Sequence, residues 1–109
     1  MGRYMRVIVF FDLPSVTNQE KRVYRRFRKF LITEGFIQMQ ESVYSKLALN
    51  ASMSKLIVEK LKKNVPEKGL VEVLVITEKQ FAQIIFLVGN KNNPQVDSEE
   101  RLLVLWFLE

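Results

Sequence analysis

The chain contains no cysteine and no histidine. Without cysteine there are no disulfide frameworks, zinc fingers, thiol nucleophiles or iron–sulfur ligation. Without histidine there are no Ser-His-Asp triads, imidazole acid–base pairs or histidine metal ligands. Hydrolytic chemistry, if present, must run on carboxylates, hydroxyls, lysine or arginine, with a hard cation as the natural helper. Aspartate is scarce too, with only Asp12 and Asp97. No apolar run approaches the ~18 residues of a membrane span. The opening Met1-Gly2-Arg3-Tyr4-Met5-Arg6 leads into a strand-like run and not into a signal peptide. These absences make the cytoplasm the expected compartment, with no membrane partner.

What remains is one domain's length, 109 residues, with an apolar fraction of 48% that is ample for a core. Seventeen basic against twelve acidic residues give a net charge of +5 and a pI of about 9.6. That balance points to an acidic partner such as nucleic acid. The charge is unevenly spread. Lys21, Arg22, Arg25, Arg26, Arg28 and Lys29 fall in one stretch, and no acid lies between Glu20 and Glu34. The last 13 residues reverse the sign, and without them 16 basic and 8 acidic residues leave +8.

Residues 5–11 are almost continuously apolar and β-branched or aromatic, the pattern of a central strand buried on both faces. Asp12-Leu13-Pro14-Ser15 ends it. Thr17 and Glu20 make a candidate capping box for a helix whose stripe is Val23, Phe27, Phe30 and Leu31, stopped at Gly35. Two short strands follow at 36–40 and 42–47, with a tight turn near Gln40-Glu41. A second helix is predicted over 50–64, capped by Asn50 or Ser52, with the stripe Met53, Leu56, Ile57 and Leu61. Residues 70–76 read as a fourth strand. The order βαββαβ is the ferredoxin-like pattern. Two more apolar stretches, 83–88 and 102–107, read as surplus strands. They either extend the same sheet or pair with another chain; a second copy is favoured, because an open apolar sheet face is an aggregation hazard for a monomer. The expectation is therefore α+β: one ferredoxin-like domain over 1–109, with its core in about 1–78 and C-terminal strands in about 79–109 serving dimer and partner contacts.

Two features can carry chemistry. On a helix, Arg22, Arg25, Arg26 and Lys29 share a face opposite Phe27 and Phe30, with Lys21 beside them. Stacked like charges cost a few tenths of a kcal/mol per pair. A phosphate-contacting stripe explains that cost, whereas an ordinary solvated face usually mixes signs. Such contacts position a duplex without reading its bases. The third strand lacks the Gly-Phe signature of RNA-binding ferredoxin-like domains, which argues against base stacking on the sheet. The second feature is Asp12, a carboxylate at the end of a buried strand. It is equally explained as a turn residue and as a cation ligand facing a phosphate. No second acid is near it in sequence, so a cation site requires Asp12 from each of two chains on a two-fold axis. Tyr24, Tyr44, Ser42, Ser45 and Trp106 are weaker candidates, each more readily explained as packing, a strand hydroxyl or an interface residue.

Asp12 after Val7-Ile8-Val9-Phe10-Phe11, the basic helix, the hairpin from Gly35 to Tyr44, Thr77-Glu78-Lys79-Gln80-Phe81 and Phe86-Leu87-Val88-Gly89 together resemble the CRISPR-associated Cas-two family, in the form found in type II systems. The likeness runs from about residue 4 to about residue 105. It implies a ferredoxin-like homodimer whose C-terminal strands cross to the partner's sheet. It implies binding of double-stranded DNA and bridging of two dimers of the Cas-one integrase, for spacer acquisition in antiviral defence. It also implies an endonuclease acting on RNA or DNA with magnesium or manganese, in which Asp12 is both catalytic residue and metal ligand. The nucleic-acid contacts would be Lys21, Arg22, Arg25, Arg26 and Lys29. The alternative is a toxin endoribonuclease of the VapD class, which the family also resembles. Where the family carries arginines after the first strand, this chain has Leu13-Pro14-Ser15-Val16-Thr17, and its positive charge begins at Lys21.

Overall fold

The structure is a computed structural model that describes residues 3–89. Its elements run β1 (Met5–Asp12), α1 (Asn18–Thr33), β2 (Ile37–Gln40), β3 (Val43–Ala48), α2 (Ala51–Lys62), β4 (Leu70–Thr77) and a single helical turn, α3 (Glu78–Phe81). The four strands form one antiparallel sheet in the order β2-β3-β1-β4. This is the ferredoxin-like arrangement that the sequence pattern predicts.

The apolar run of β1 does lie at the centre. It pairs with β3 from Met5 to Phe10 and with β4 along its whole length, Val7 opposite Val75 and Asp12 opposite Leu70. Alternation along the strand sends Val7, Val9 and Phe11 toward the helices. There they pack with Phe27, Leu31, Phe36, Tyr44 and Leu61 in the core. Phe11 is the hub of that packing. Its ring lies 5.3 Å from Phe27 and 5.8 Å from Tyr24, both edge-on, and 5.7 Å from Tyr44. Such pairs add roughly 0.5–1.5 kcal/mol each beyond burial.

The capping box of α1 is formed. Thr17 Oγ1 accepts from the Glu20 N–H at 3.1 Å, and Glu20 Oε1 accepts from the N–H groups of Thr17 at 2.9 Å and Val16 at 3.1 Å. The backbone N–H of Thr17 holds the Glu20 carboxyl below its ordinary value of 4.5, and Val16 adds to the effect. At the other end the chain turns at Gly35, whose φ of +91° lies in the region that favours glycine. The cap of α2 is Asn50, whose side chain accepts from the Met53 N–H at 2.8 Å.

Three expectations change. First, the buried face of α2 is rotated from the predicted stripe. Leu61 is buried and Ile57 half-buried as expected, but Leu56 is 63% exposed and Met53 lies outside. Ser54 and Val58 take the inner positions. The Ser54 hydroxyl donates to the Ala51 carbonyl at 2.6 Å, so a small polar residue sits inside with its hydrogen bond made locally. Second, residues 83–88 are not a strand. Thr77 caps α3 in a second capping box with Gln80, and the N–H groups of Gln83 and Ile84 bond back to Gln80 and Phe81. The chain turns away after β4, and within the described residues 83–88 join no ladder; β propensity without a ladder does not make a strand. Third, α3 itself was not foreseen. The stretch 102–107 lies outside the described residues.

On the face away from α1 and α2, β1 carries a charge. Arg6 is 2% and Glu78 1% exposed, and they form a bidentate pair. Nε donates to Oε2 and Nη2 to Oε1, both at 2.7 Å. The guanidinium also sits over the Phe81 ring, 4.6 Å from its centroid. Around this knot the face stays apolar and partly open, with Leu70 54% and Leu74 48% exposed.

Two predictions follow from these contacts. Arg6→Met strands a buried carboxylate and is expected to cost about 3–5 kcal/mol in urea unfolding. Arg6→Met with Glu78→Leu should recover most of that loss; a double variant no more stable than the single one would contradict the pairing. For Glu20 the folded-state pKa lies below the unfolded one, so its contribution is present above about 4.5 and is lost as pH falls through the folded value. Glu20→Gln keeps the acceptor oxygen and cannot titrate. From about pH 6 to about pH 3 the wild type should therefore lose more stability than Glu20→Gln; parallel acid limbs would refute this.

Candidate nucleic-acid interface and strand-end carboxylate

The apolar anchors Phe27 and Leu31 fix the rotation of α1, with Val23, Tyr24 and Phe30 half-buried beside them. That rotation turns Lys21, Arg22, Arg25, Arg26 and Lys29 outward, and all five are exposed. The ion pairs among the described residues are Arg6–Glu78, Lys60–Glu34 and Lys62–Glu59. None of the five stripe residues takes part in them. The predicted stripe is thus a continuous cationic face with no ion pair to an acid among the described residues. The cations that meet the C-terminal end of α1 come from elsewhere: Lys46 Nζ donates to the Glu34 carbonyl at 2.5 Å, and Lys60 pairs with the Glu34 carboxylate at 2.8 Å.

Arg28 differs from its neighbours. It is exposed, yet its Nε donates to the hydroxyl of the fully buried Tyr44 at 2.9 Å. Tyr44 and Ser45 therefore belong to the packing of the sheet. Tyr24 packs on Phe11 and reaches the Glu41 carbonyl at 3.5 Å. Trp106 lies outside the described residues.

Asp12 is the last residue of β1 and is exposed. Strand alternation places it on the side of Arg6, Ile8 and Phe10, the face turned away from α1 and α2. Its backbone is clamped by Gly69, whose φ is +96°. A Cβ on Gly69 would meet the Asp12 carbonyl oxygen and Leu13 Cδ2, both at 2.8 Å. Beyond the strand end, Leu13 and Pro14 line a groove of about 510 Å³ whose other lining residues include Arg26 and Lys68 and the acids Glu20 and Glu67. Arg26 is thus the stripe residue that the structure brings to the loop after Asp12. The rest of the stripe is on the outer side of α1, with the sheet between it and the open face. No cluster of three acidic, histidine or cysteine side chains occurs among the described residues.

The sequence reading missed Arg28–Tyr44 and Arg6–Glu78. Each joins residues on different elements, 16 and 72 positions apart, with no periodic or local signature.

Comparison with known proteins identifies the family. The family model described as CRISPR associated protein Cas2 matches residues 5–84. A protein named CRISPR-associated endoribonuclease Cas2 from Treponema denticola is 50% identical over 101 residues, covering 93% of this chain and all of that protein. One of the same name from Streptococcus mutans is 48% identical over 101 residues, with 93% of each chain covered. Another from Ligilactobacillus salivarius is 41% identical, over 93% of this chain and all of its own length. With the βαββαβ sheet, the strand-end Asp12 and a match over most of its length, the chain belongs to the CRISPR-associated Cas2 family.

Proposed function

We propose that two copies of the chain form a dimer that binds double-stranded DNA and bridges dimers of the Cas-one integrase during spacer acquisition. We infer also that it hydrolyses phosphodiester bonds at paired Asp12 residues. The observation that carries the reading is the cationic face of α1, which makes no ion pair to an acid among the described residues. Each phosphate neutralised there releases counterions, and the outward rotation of the helix leaves the five side chains free to follow a backbone. The relatives' name, endoribonuclease, supports the hydrolytic part and makes RNA a second substrate class.

The dimer is argued from uncovered apolar surface. Leu70 and Leu74 on β4 and Ile84 and Ile85 after α3 are exposed, and the outer edge of β4 has no strand partner among the described residues. Surface of this kind is a liability until another chain covers it. A second copy does so symmetrically, and its residues 102–107 are an apolar segment of strand length.

The cation follows from the donor chemistry. Asp12 offers the hard oxygen that magnesium or manganese prefers. One chain supplies one carboxylate, so the residues fit a divalent ion only as a pair, one Asp12 from each copy. The open face on which Asp12 lies is also the face left apolar for the second copy. When bound, the ion supplies Lewis-acid polarisation of the scissile phosphate. The chain's own part is to hold Asp12 in place through the β1–β4 ladder and the Gly69 contact.

The test separates binding from cleavage. Arg22, Arg25 and Arg26→Glu together should abolish duplex binding at moderate salt while the dimer persists in sedimentation; unchanged affinity removes the DNA-binding assignment. Asp12→Asn keeps shape and removes charge. It should abolish magnesium-dependent cleavage and leave DNA affinity and spacer integration in place. Cleavage surviving in a rigorously repurified Asp12→Asn protein would show that Asp12 is not its site.

A further inference from the structure

The cationic face carries one residue unlike the others, and its environment is built. Arg28 lies on the flank of α1 that borders the β2–β3 hairpin, one turn from Tyr24 and Arg25. Its Nε is held by the hydroxyl of Tyr44, at 2.9 Å. Tyr44 cannot move to accommodate it: the ring is fully buried, stacked 5.7 Å from Phe11, and fixed in register opposite Val9. The guanidinium therefore hangs from the core by one nitrogen, while its two terminal nitrogens have no carboxylate within ion-pair distance among the described residues. Among the described residues, Lys21, Arg22, Arg25, Arg26 and Lys29 have no such tether.

The geometry points to Arg28 as a pre-oriented phosphate clamp at the edge of the α1 face, with Tyr44 as its positioning residue. This rests on the reading of α1 as a nucleic-acid surface and deepens it. A planar guanidinium presents paired donors that match two phosphate oxygens, which an ammonium cannot do. A free arginine loses side-chain freedom when it makes that contact. An arginine already held at Nε loses less, and the saving is of the order of one immobilised side chain. The free cations of the stripe track the backbone loosely, and Arg28 sets where along the helix a phosphate must sit.

The experiment measures affinity for a fluorescent mixed-sequence DNA duplex about 30 base pairs long, as log Kobs against log salt, with full-length protein. Arg28→Ala should weaken binding and reduce the slope by about 0.9, one phosphate contact. Tyr44→Phe removes only the hydroxyl and retains every charge. It should weaken binding about 2- to 10-fold with the slope unchanged. Arg28→Lys keeps the charge at an exposed position and removes the planar fork; it should keep the slope and lose a similar factor. An unchanged slope in Arg28→Ala, with binding still abolished in the Arg22/Arg25/Arg26→Glu protein, overturns the clamp and leaves the DNA-binding function standing. Wild-type affinity in both Tyr44→Phe and Arg28→Lys overturns the positioning role. Wild-type affinity in the triple variant overturns the function and the clamp with it.

Discussion

The structure depends on β1 being laddered on both edges and packed or paired on both faces. It is the strand that ladders to both neighbours, so its position sets the register of β3 and β4 and, through them, of everything attached. Its two faces are satisfied by different physics. One is apolar, with Val7, Val9 and Phe11 against the helices. The other carries Arg6, which can be buried only because Glu78 returns to it from the far end of β4. Replaced by packed apolar residues, such a pair would be no less stable, so its contribution is not excess stability. What it adds is exclusivity. If α3 sat anywhere else, two buried charges would be unpaired, the costly state. The departure of the chain from the sheet after Thr77 is thereby tied to the central strand.

The helix bearing the cationic face works against its own electrostatics, since Arg22, Arg25, Arg26 and Lys29 repel at spacings of three and four. Its stability comes from the ends and from the inner side. Glu20 closes the capping box with a charge favoured at a helix N-terminus. Lys46 and Lys60, from β3 and α2, place positive charge at the C-terminal end, where the helix itself has none. Phe27 and Leu31 anchor the middle. A surface selected for stability alone would intersperse acids here. Their absence, with the compensation supplied elsewhere, is the physical argument that the face has a partner.

The legible parts of the sequence were those whose signal is local. The apolar run of β1, the Thr17–Glu20 box, the turn at Gly35 and the helical spacing of the cations each require only a few neighbouring residues, and each stands where the pattern put it. The α2 stripe was partly misread, because Met53 and Leu56 look more apolar than Ser54, and hydropathy does not count a hydroxyl that bonds to its own helix backbone. Residues 83–88 depart from the pattern for a related reason: their composition favours strand, but the helical turn at Glu78–Phe81 directs the single chain away from the ladder. Arg6 and Arg28 were invisible as special residues. What distinguishes them is a partner fixed by the β1–β3 register or by the return of the chain at Glu78, and no window along the sequence contains both members.

The placement of Asp12 bears on how the two proposed activities relate. The cationic face is on the outer side of α1, whereas Asp12 is on the opposite side of the sheet, toward the surface a second copy would cover. A duplex lying along the stripe is therefore not, by that contact, presented to Asp12 of the same chain; Arg26 is the stripe residue that lines the groove beside the loop after β1. Binding by the stripe needs only charge and an intact helix. Cleavage needs two chains, a cation and access to the seam between them. Histidine-free chemistry on a single carboxylate per chain has little capacity for proton transfer. On the proposed reading, nucleic acid would be held through a large preformed surface and cut through a small shared one. The larger surface is the one whose construction shows compensation throughout the fold.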